Sequence, residues 1–390
     1  MNREAVIVDA VRTPVGKRGG QLREWHPVDL LAQTLATLVE RTGVDHQQLS
    51  DVIVGCAIQQ GEQAGNVARN GLLGAGLPLT LPGTTLDRQC GSGQQAVHFA
   101  AQAIKSGEYN FAIGAGVESM SRVELGPLFI PGGPRGQWYG LRALARFGGN
   151  IPAQGPSAEL IISKWGFTRK QLDDFSIRSH QRAAAATQAG YFASQLVPVD
   201  GTAKDGTVSA MTTDEGIRSV VDPEKMADLA PVFSPEGAIT AGNASQMSDG
   251  AGALLIAERS KAEAAGLRPR ARIISMAVAA DDPVLQFTAV LPATQKALDQ
   301  AGLSISDIDL VEVNEAFAPV PLLWAAEFGY PQDQLNVNGG SIAIGHPLGS
   351  TGARLLTQLL NELERRGARY GLLTICEGGG MANATIIERI

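Results

Sequence analysis

Several things are scarce in this 390-residue sequence, and each shortage excludes something. Only three cysteines occur, Cys56, Cys90 and Cys376, an odd and sparse set that argues against a disulfide framework and for reduced thiols. Histidine numbers five, and His26, His46, His98 and His180 have no metal-ligand spacing; each reads as a histidine satisfying backbone groups. Apolar runs never approach the roughly 18 uninterrupted residues of a membrane helix. No Lys/Arg block offers a footprint for phosphates, and the formal charge is −7, so neither nucleic acid nor a membrane is an expected partner. The first residues lead straight into Ala5-Val6-Ile7-Val8-Asp9-Ala10, which reads as a strand rather than a secretory leader, and Glu388-Arg389-Ile390 is no retention or peroxisomal address. The cytoplasm is the expected compartment.

What is present is an ordinary globular composition, 44% hydrophobic and 18% charged, able to build a sizeable core. The length exceeds one compact core and predicts two similar domains or a duplicated core with an insertion. An internal repeat supports duplication. A helix expected from Pro27 to Arg41 leads through Thr42-Gly43-Val44 to Leu49-Ser50-Asp51 and the strand Val52-Ile53-Val54; in the second half Pro292 to Gln300 leads through Ala301-Gly302-Leu303 to Ser306-Asp307-Ile308 and Leu310-Val311-Glu312-Val313. Further on, Gln89-Cys90-Gly91-Ser92-Gly93 opens a helix to about Ser106 before the strand Phe111-Ala112-Ile113-Gly114. Likewise Gly345-His346-Pro347-Leu348-Gly349 opens a helix to about Arg366 before Gly371 to Ile375. Gly43 pairs with Gly302 and Cys90 with His346 at offsets of about 260 residues, one register throughout.

Alternating strands and helices predict two duplicated α/β cores with mostly parallel sheets, related by a pseudo-twofold that would let both Gly-bounded helix starts face one cleft. Residues 1–120 form the N-terminal core, 121–241 an inserted Gly- and Pro-rich loop domain without a counterpart in the second half, 242–270 a return to the first core, and 271–390 the C-terminal core.

Chemistry concentrates at the helix starts. Cys90 precedes one, where the helix dipole and free N–H groups are expected to lower a thiol pKa and offer donors to an oxyanion; the competing reading is a buried small hydrophobe. Held between Gly345 and Pro347, His346 can activate a thiol or donate to an enolate, or merely satisfy carbonyls in a turn. Cys376 ends a strand before Glu377-Gly378-Gly379-Gly380, whose backbone N–H groups can aim at a bound atom; a plain strand-end cysteine is the alternative. Asn314 follows the strand Leu310 to Val313 at a carboxyl edge, where it can orient a water or cap a helix. Cys56 reads as core.

In order along the chain, these blocks resemble the thiolase family: Arg12-Thr13-Pro14-Val15-Gly16, Asp87-Arg88-Gln89-Cys90-Gly91-Ser92-Gly93, Gly116-Val117-Glu118-Ser119-Met120-Ser121, Gly242-Asn243-Ala244-Ser245, Ser248-Asp249-Gly250-Ala251, Asn314-Glu315-Ala316-Phe317, Gly339-Gly340-Ser341-Ile342-Ala343-Ile344-Gly345-His346-Pro347 and Cys376-Glu377-Gly378-Gly379-Gly380. The resemblance implies the α/β thiolase fold, two duplicated cores of βαβαβαββ type with an inserted loop domain, and an acyltransferase that cleaves a 3-ketoacyl-CoA thiolytically, with CoA as substrate and no cofactor or metal. It also implies that His346 activates Cys90, which takes the acyl group as a thioester, while Cys376 shuttles a proton. His346 with a water on Asn314 would form one oxyanion hole, and the N–H groups of Cys90 and Gly378 the other. CoA would cross the loop domain, with Ser245 at the pantetheine and Arg218 near the adenine. A homodimer or homotetramer is implied.

The sequence also departs from the family pattern. The His-Met-Gly element of small-substrate biosynthetic thiolases aligns with Ala153-Gln154-Gly155-Pro156, and their Met-Gly element with Leu285 to Pro292, so a differently shaped acyl pocket is expected. Asp87 stands where Asn is usual. Glu377 replaces an apolar residue and either raises the neighbouring thiol's pKa or turns into a hydrogen-bond network. These features resemble thiolases of bacterial steroid or lipid catabolism, with acetyl-CoA or propionyl-CoA as a product. A biosynthetic acetoacetyl-CoA thiolase is the alternative. A decarboxylating ketoacyl synthase is disfavoured by Cys376 and the single His346, and a non-catalytic lipid carrier by the presence of Cys90, His346 and Cys376 together.

Overall fold

The computed structural model describes residues 3–125 and 139–390; residues 1–2, and 126–138 within the segment read as an insertion, lie outside the described residues. The strands are β1 (Ala5–Arg12), β2 (Gly16–Lys17), β3 (Leu49–Gly55), β4 (Gly83–Leu86), β5 (Phe111–Ser119), β6 (Val199–Thr202), β7 (Val208–Met211), β8 (Ser248–Glu258), β9 (Ala271–Ala280), β10 (Leu310–Val313), β11 (Tyr370–Glu377) and β12 (Met381–Arg389). The helices are α1 (Pro27–Thr42), α2 (Val67–Gly74), α3 (Ser92–Ser106), α4 (Leu141–Arg146), α5 (Gln154–Trp165), α6 (Arg169–Gln188), α7 (Pro223–Ala227), α8 (Arg259–Ala264), α9 (Val290–Ala301), α10 (Pro319–Phe328) and α11 (Leu348–Arg366).

The repeat seen in the sequence is a repeat of structure. Both α1 and α9 end on a left-handed glycine, Gly43 at φ 65° and Gly302 at φ 66°, a conformation that side chains with a β-carbon resist. Strand order runs β10-β11-β12-β9-β1-β8-β5-β3-β4, so β1-β8-β5-β3 in one half mirrors β9-β12-β11-β10 in the other, and the halves join where β1 pairs with β9. A lone parallel bridge from Val311 to Leu335 stands where the first half has β3 beside β4. The expectation of mostly parallel sheets fails. Among the described residues, only β3 with β4, β3 with β5, and β10 with β11 pair in parallel, while β1 with β8, β5 with β8, β9 with β12, β11 with β12, and β1 with β9 are antiparallel. The cause lies after β5 and β11. In each half the next strand returns directly alongside, through Gly378–Gly380 in the second half and through the long segment bearing α4 to α7 and the β6–β7 hairpin in the first.

Alternation along the strands separates the larger cores. Val6 and Val8 face α1 and α2, whereas Ile7 and Ala10 face the opposite side, where α3 and α11 share one core with strands of both halves. A third core joins α9 and α10 to α5 and α6. Helices α3 and α11 therefore form a middle layer, and they touch through glycines: a β-carbon on Gly93 would lie 2.6 Å from the Gly349 carbonyl and 3.0 Å from Ala353 N. Their first turns meet there.

Candidate active site

Cys90 sits on a tight reversal between β4 and α3. Gln89 adopts φ 48°, a costly conformation for a residue with a side chain. Its neighbours hold it there. Asp87 accepts the Gln89 N–H at 2.6 Å, Ser92 Oγ donates to the Gln89 carbonyl at 2.6 Å, and the same hydroxyl accepts the Arg88 N–H at 2.8 Å. An asparagine at position 87 would offer the same oxygen, so this departure leaves the turn intact. The expected lowering of the thiol pKa does not occur. Burial pushes Cys90 up to about 12, a charge on Glu377 adds to the rise, and the Gln154 side chain at the start of α5 opposes it. Loss of water outweighs the helix-start donors, and the resting thiol is protonated.

His346 precedes α11 as Cys90 precedes α3, and the Gly93–Gly349 approach brings the two starts together. Its ring is clamped on both nitrogens. Thr351 Oγ1 lies 2.7 Å from Nδ1 and gives its own proton to the Pro347 carbonyl at 2.9 Å, so Nδ1 carries a proton and Nε2 is left as the base. Asn314 Nδ2 approaches Nε2 at 3.4 Å, and Asn314 Oδ1 accepts from Ser341 Oγ at 2.6 Å, which in turn accepts from Arg354 at 3.0 Å. Asn314 is thus no helix cap. Burial, with the Arg354 charge behind it, lowers the His346 pKa to about 3 and keeps the imidazole neutral.

Cys376 is fully buried at the end of β11, and a charge on Cys90 would raise its pKa, which burial already lifts well above the ordinary thiol value. The Gly378 turn abuts the turn that carries Cys90: a β-carbon on Gly378 would lie 3.2 Å from Gln89 Oε1. Gly379 N donates to Gln286 Oε1 at 3.3 Å, while Gln286 Nε2 donates to the Pro152 carbonyl at 2.7 Å and to Ser157 Oγ at 3.1 Å. Gln286, at φ 53°, ties the start of α5 to the glycine turn. Ser245 is half-buried beside the site, its N–H on the Ala316 carbonyl at 3.0 Å, next to Gln246, whose carbonyl accepts from His346 N at 3.0 Å. Arg218 is exposed, and its N–H donates to His180 Nδ1 at 3.1 Å.

Thiolase family models match the two halves in turn, the N-terminal domain over residues 5–260 and the C-terminal domain over 267–389. The chain belongs to the thiolase family. A steroid 3-ketoacyl-CoA thiolase, FadA6, of Mycobacterium tuberculosis is 47% identical, with 99% of this chain and 94% of that protein covered. The 3-oxoadipyl-CoA/3-oxo-5,6-dehydrosuberyl-CoA thiolase of Escherichia coli is 43% identical over the whole of both chains. Among solved structures, human mitochondrial 3-ketoacyl-CoA thiolase superposes with a TM-score of 0.90 at 35% identity, covering 100% of this chain and 99% of that one. The thiolase fold and an acyltransferase activity follow. Among the described residues, no group of three or more His, Cys, Asp or Glu side chains could hold a metal ion, and no helix is long and apolar enough to cross a membrane.

In this thiolase the supporting residues were the ones sequence reasoning passed over. Thr351, Ser341 and Gln246 act through hydrogen bonds between turns far apart in the chain. Glu118 accepts from the N–H groups of Ala57 at 2.9 Å and Gly349 at 2.8 Å, bracing the end of β3 against the start of α11. Its place in the Gly-Val-Glu-Ser block was the only available signal. Cys56, read as core, is buried and leans its thiol on Glu118 at 3.7 Å.

Proposed function

We propose that this protein is a degradative thiolase that cleaves a 3-ketoacyl-CoA with CoA to acetyl-CoA or propionyl-CoA and a shortened acyl-CoA, in lipid or steroid breakdown, through an acyl-enzyme on Cys90. The observation that carries the reading is the meeting of two pseudo-twofold helix starts, one bearing a protonated thiol and the other a neutral imidazole, beside the Cys376–Gly378 turn. Both groups rest uncharged. As Cys90 Sγ attacks the 3-keto carbon its proton passes to His346 Nε2, and the ion pair forms only while the adduct does. The adduct's oxyanion lies against the N–H groups of Cys90 and Gly378. Cleavage of the carbon–carbon bond leaves an enolate, held by His346 and a water on Asn314, and Cys376 protonates its α-carbon. The incoming CoA thiol then gives its proton to the Cys376 thiolate and attacks the thioester, and Cys90 leaves with the proton held by His346.

Ser245 lies on the pantetheine path, which its place beside Gln246 and Ala316 supports. Arg218 meets the adenine end of CoA at the surface. The division into cores at 1–120, 242–270 and 271–390 with a loop domain at 121–241 carries that path, and the enzyme works as a cytoplasmic homodimer or homotetramer.

Intact-protein mass after brief incubation with a panel of 3-ketoacyl-CoAs, without free CoA, tests the mechanism. Wild type should retain an acyl mass that Cys90→Ala lacks, and its size names the acyl class. Absence of an adduct with every member of the panel would overturn the reading. A turnover screen strongly favouring acetoacetyl-CoA over long or cyclic substrates would point instead to the biosynthetic role.

A further inference from the structure

Among the buried carboxyls that the thiolysis steps leave unused, Glu377 has both oxygens without a protein partner in the described residues. Alternation along β11 sends Cys376 and Glu377 to opposite faces of the strand, so the carboxyl lies over Gly91, the residue after the nucleophile. A β-carbon on Gly91 would overlap Glu377 Oε1 and lie 2.9 Å from Asn383 Oδ1. The two oxygens face the same small space. The second contact of Asn383 settles its orientation: Nδ2 donates to the Gly91 carbonyl at 3.1 Å, and a carbonyl can only accept. Oδ1 is therefore turned toward Glu377, and it too is buried without a donor. Two acceptors turned to one buried space with no protein donor between them repel. A single proton on the carboxyl converts the clash into a hydrogen bond and satisfies both groups.

We propose that Glu377 works as a neutral carboxylic acid and a positioning residue, donating its proton to Asn383 Oδ1 and, through the Asn383 amide, holding the Gly91 carbonyl and the turn that carries Cys90. The inference rests on Cys90 being the nucleophile. Its surroundings suit a neutral acid. Burial drives the Glu377 pKa well above the ordinary carboxylate value, with Arg88 opposing the rise and Asp87 adding to it. The titratable and charged groups around it are Arg88, Asp87 and Cys90 on the turn before α3 and Cys376 on its own strand; β12 contributes the uncharged Asn383. An anion at position 377 would raise the pKa of both thiols, so keeping the group protonated removes a charge that opposes the formation of either thiolate.

Isotope-edited infrared difference spectroscopy of the glutamate-labelled enzyme, wild type against Glu377→Gln, reads the proton directly. A carboxylic-acid carbonyl band should be present at neutral pH, disappear on alkaline titration, and be missing in the variant. Rapid-quench acylation reads the positioning. Glu377→Ala should slow the acylation burst about tenfold, the scale of one lost buried hydrogen bond, with little change in KM. Glu377→Gln keeps a donor facing Asn383 Oδ1; it should recover most of the burst rate and flatten the alkaline fall in activity. Absence of the acid band at neutral pH, or a Gln variant as slow as the Ala variant, overturns the proposal. If Glu377→Ala does not fold, the wild-type band and the Gln variant still decide it. An acid band in a protein that never acylates would leave this inference standing and fault the thiolysis mechanism instead.

Discussion

At the scale of single residues, the proposed chemistry turns on two neutral groups, Cys90 and His346. Thr351 fixes which nitrogen of His346 is the base, so Thr351→Val leaves the Nδ1 proton without an acceptor in a buried site. That costs about 1–3 kcal/mol, and the acylation burst should slow by about tenfold or more. Unchanged burst kinetics would show that the ring is oriented by something else. With the His346 pKa lowered from 6.5 to about 3, the base remains available as the solution is acidified. The acylation rate should therefore show no inflection near 6.5 while the protein stays folded, whereas an ordinary exposed histidine base would lose about half its activity there. Cys90, His346, Cys376 and Asn314 could be singled out as candidates in the sequence because glycine, proline and strand ends surround them. The protonation state of Cys90 was not legible, since a helix start argues for a thiolate and only the surrounding burial argues against it.

At the scale of elements, helix contact and domain attachment are testable separately. Gly93→Ala puts a methyl group into the Gly349 carbonyl and Ala353 N, and neither backbone atom can move without parting α3 from α11. Such overpacking costs about 1–3 kcal/mol. Both the urea midpoint and the acylation rate should fall, because the same glycines set the spacing of Cys90 and His346. Arg12 of β1 is fully buried and pairs with both oxygens of Asp214, at 2.7 and 2.9 Å, and with Gln195 at 2.8 Å, pinning the long segment between β5 and β8 to the first core. Arg12→Met leaves the Asp214 carboxylate buried and unpaired, a loss of about 3–5 kcal/mol. Thermal denaturation should register it, and limited proteolysis should cut first in that segment. The helices and central strands could be read from periodicity and caps, but strand direction could not. Direction depends on which strand lies next to which, and a returning strand after β5 looks the same in sequence whether it runs parallel or antiparallel.

At the scale of the whole molecule, three buried histidines work against stability in acid. His98 and His346 have pKa values lowered to about 3, and His180 to about 4, all chiefly by burial. Each binds its proton more readily in the unfolded chain, near 6.5, than in the folded one, so their contribution to stability is complete above that value and is lost as pH falls from 6.5 toward 4. The melting temperature should drop steadily across that window, and His98→Gln, which cannot take up a proton, should make the drop shallower. A melting temperature constant down to pH 4 would refute this account.

The sequence by itself determined the duplication, the helix starts that bear Cys90 and His346, and the family, because these follow from local turn chemistry and from order along one chain. Tertiary structure alone decided the sheet directions, the resting charge of the thiol and the place of Glu377. Each of these depends on which residues from distant parts of the chain exclude water from one another, and burial of that kind leaves no mark on any single segment.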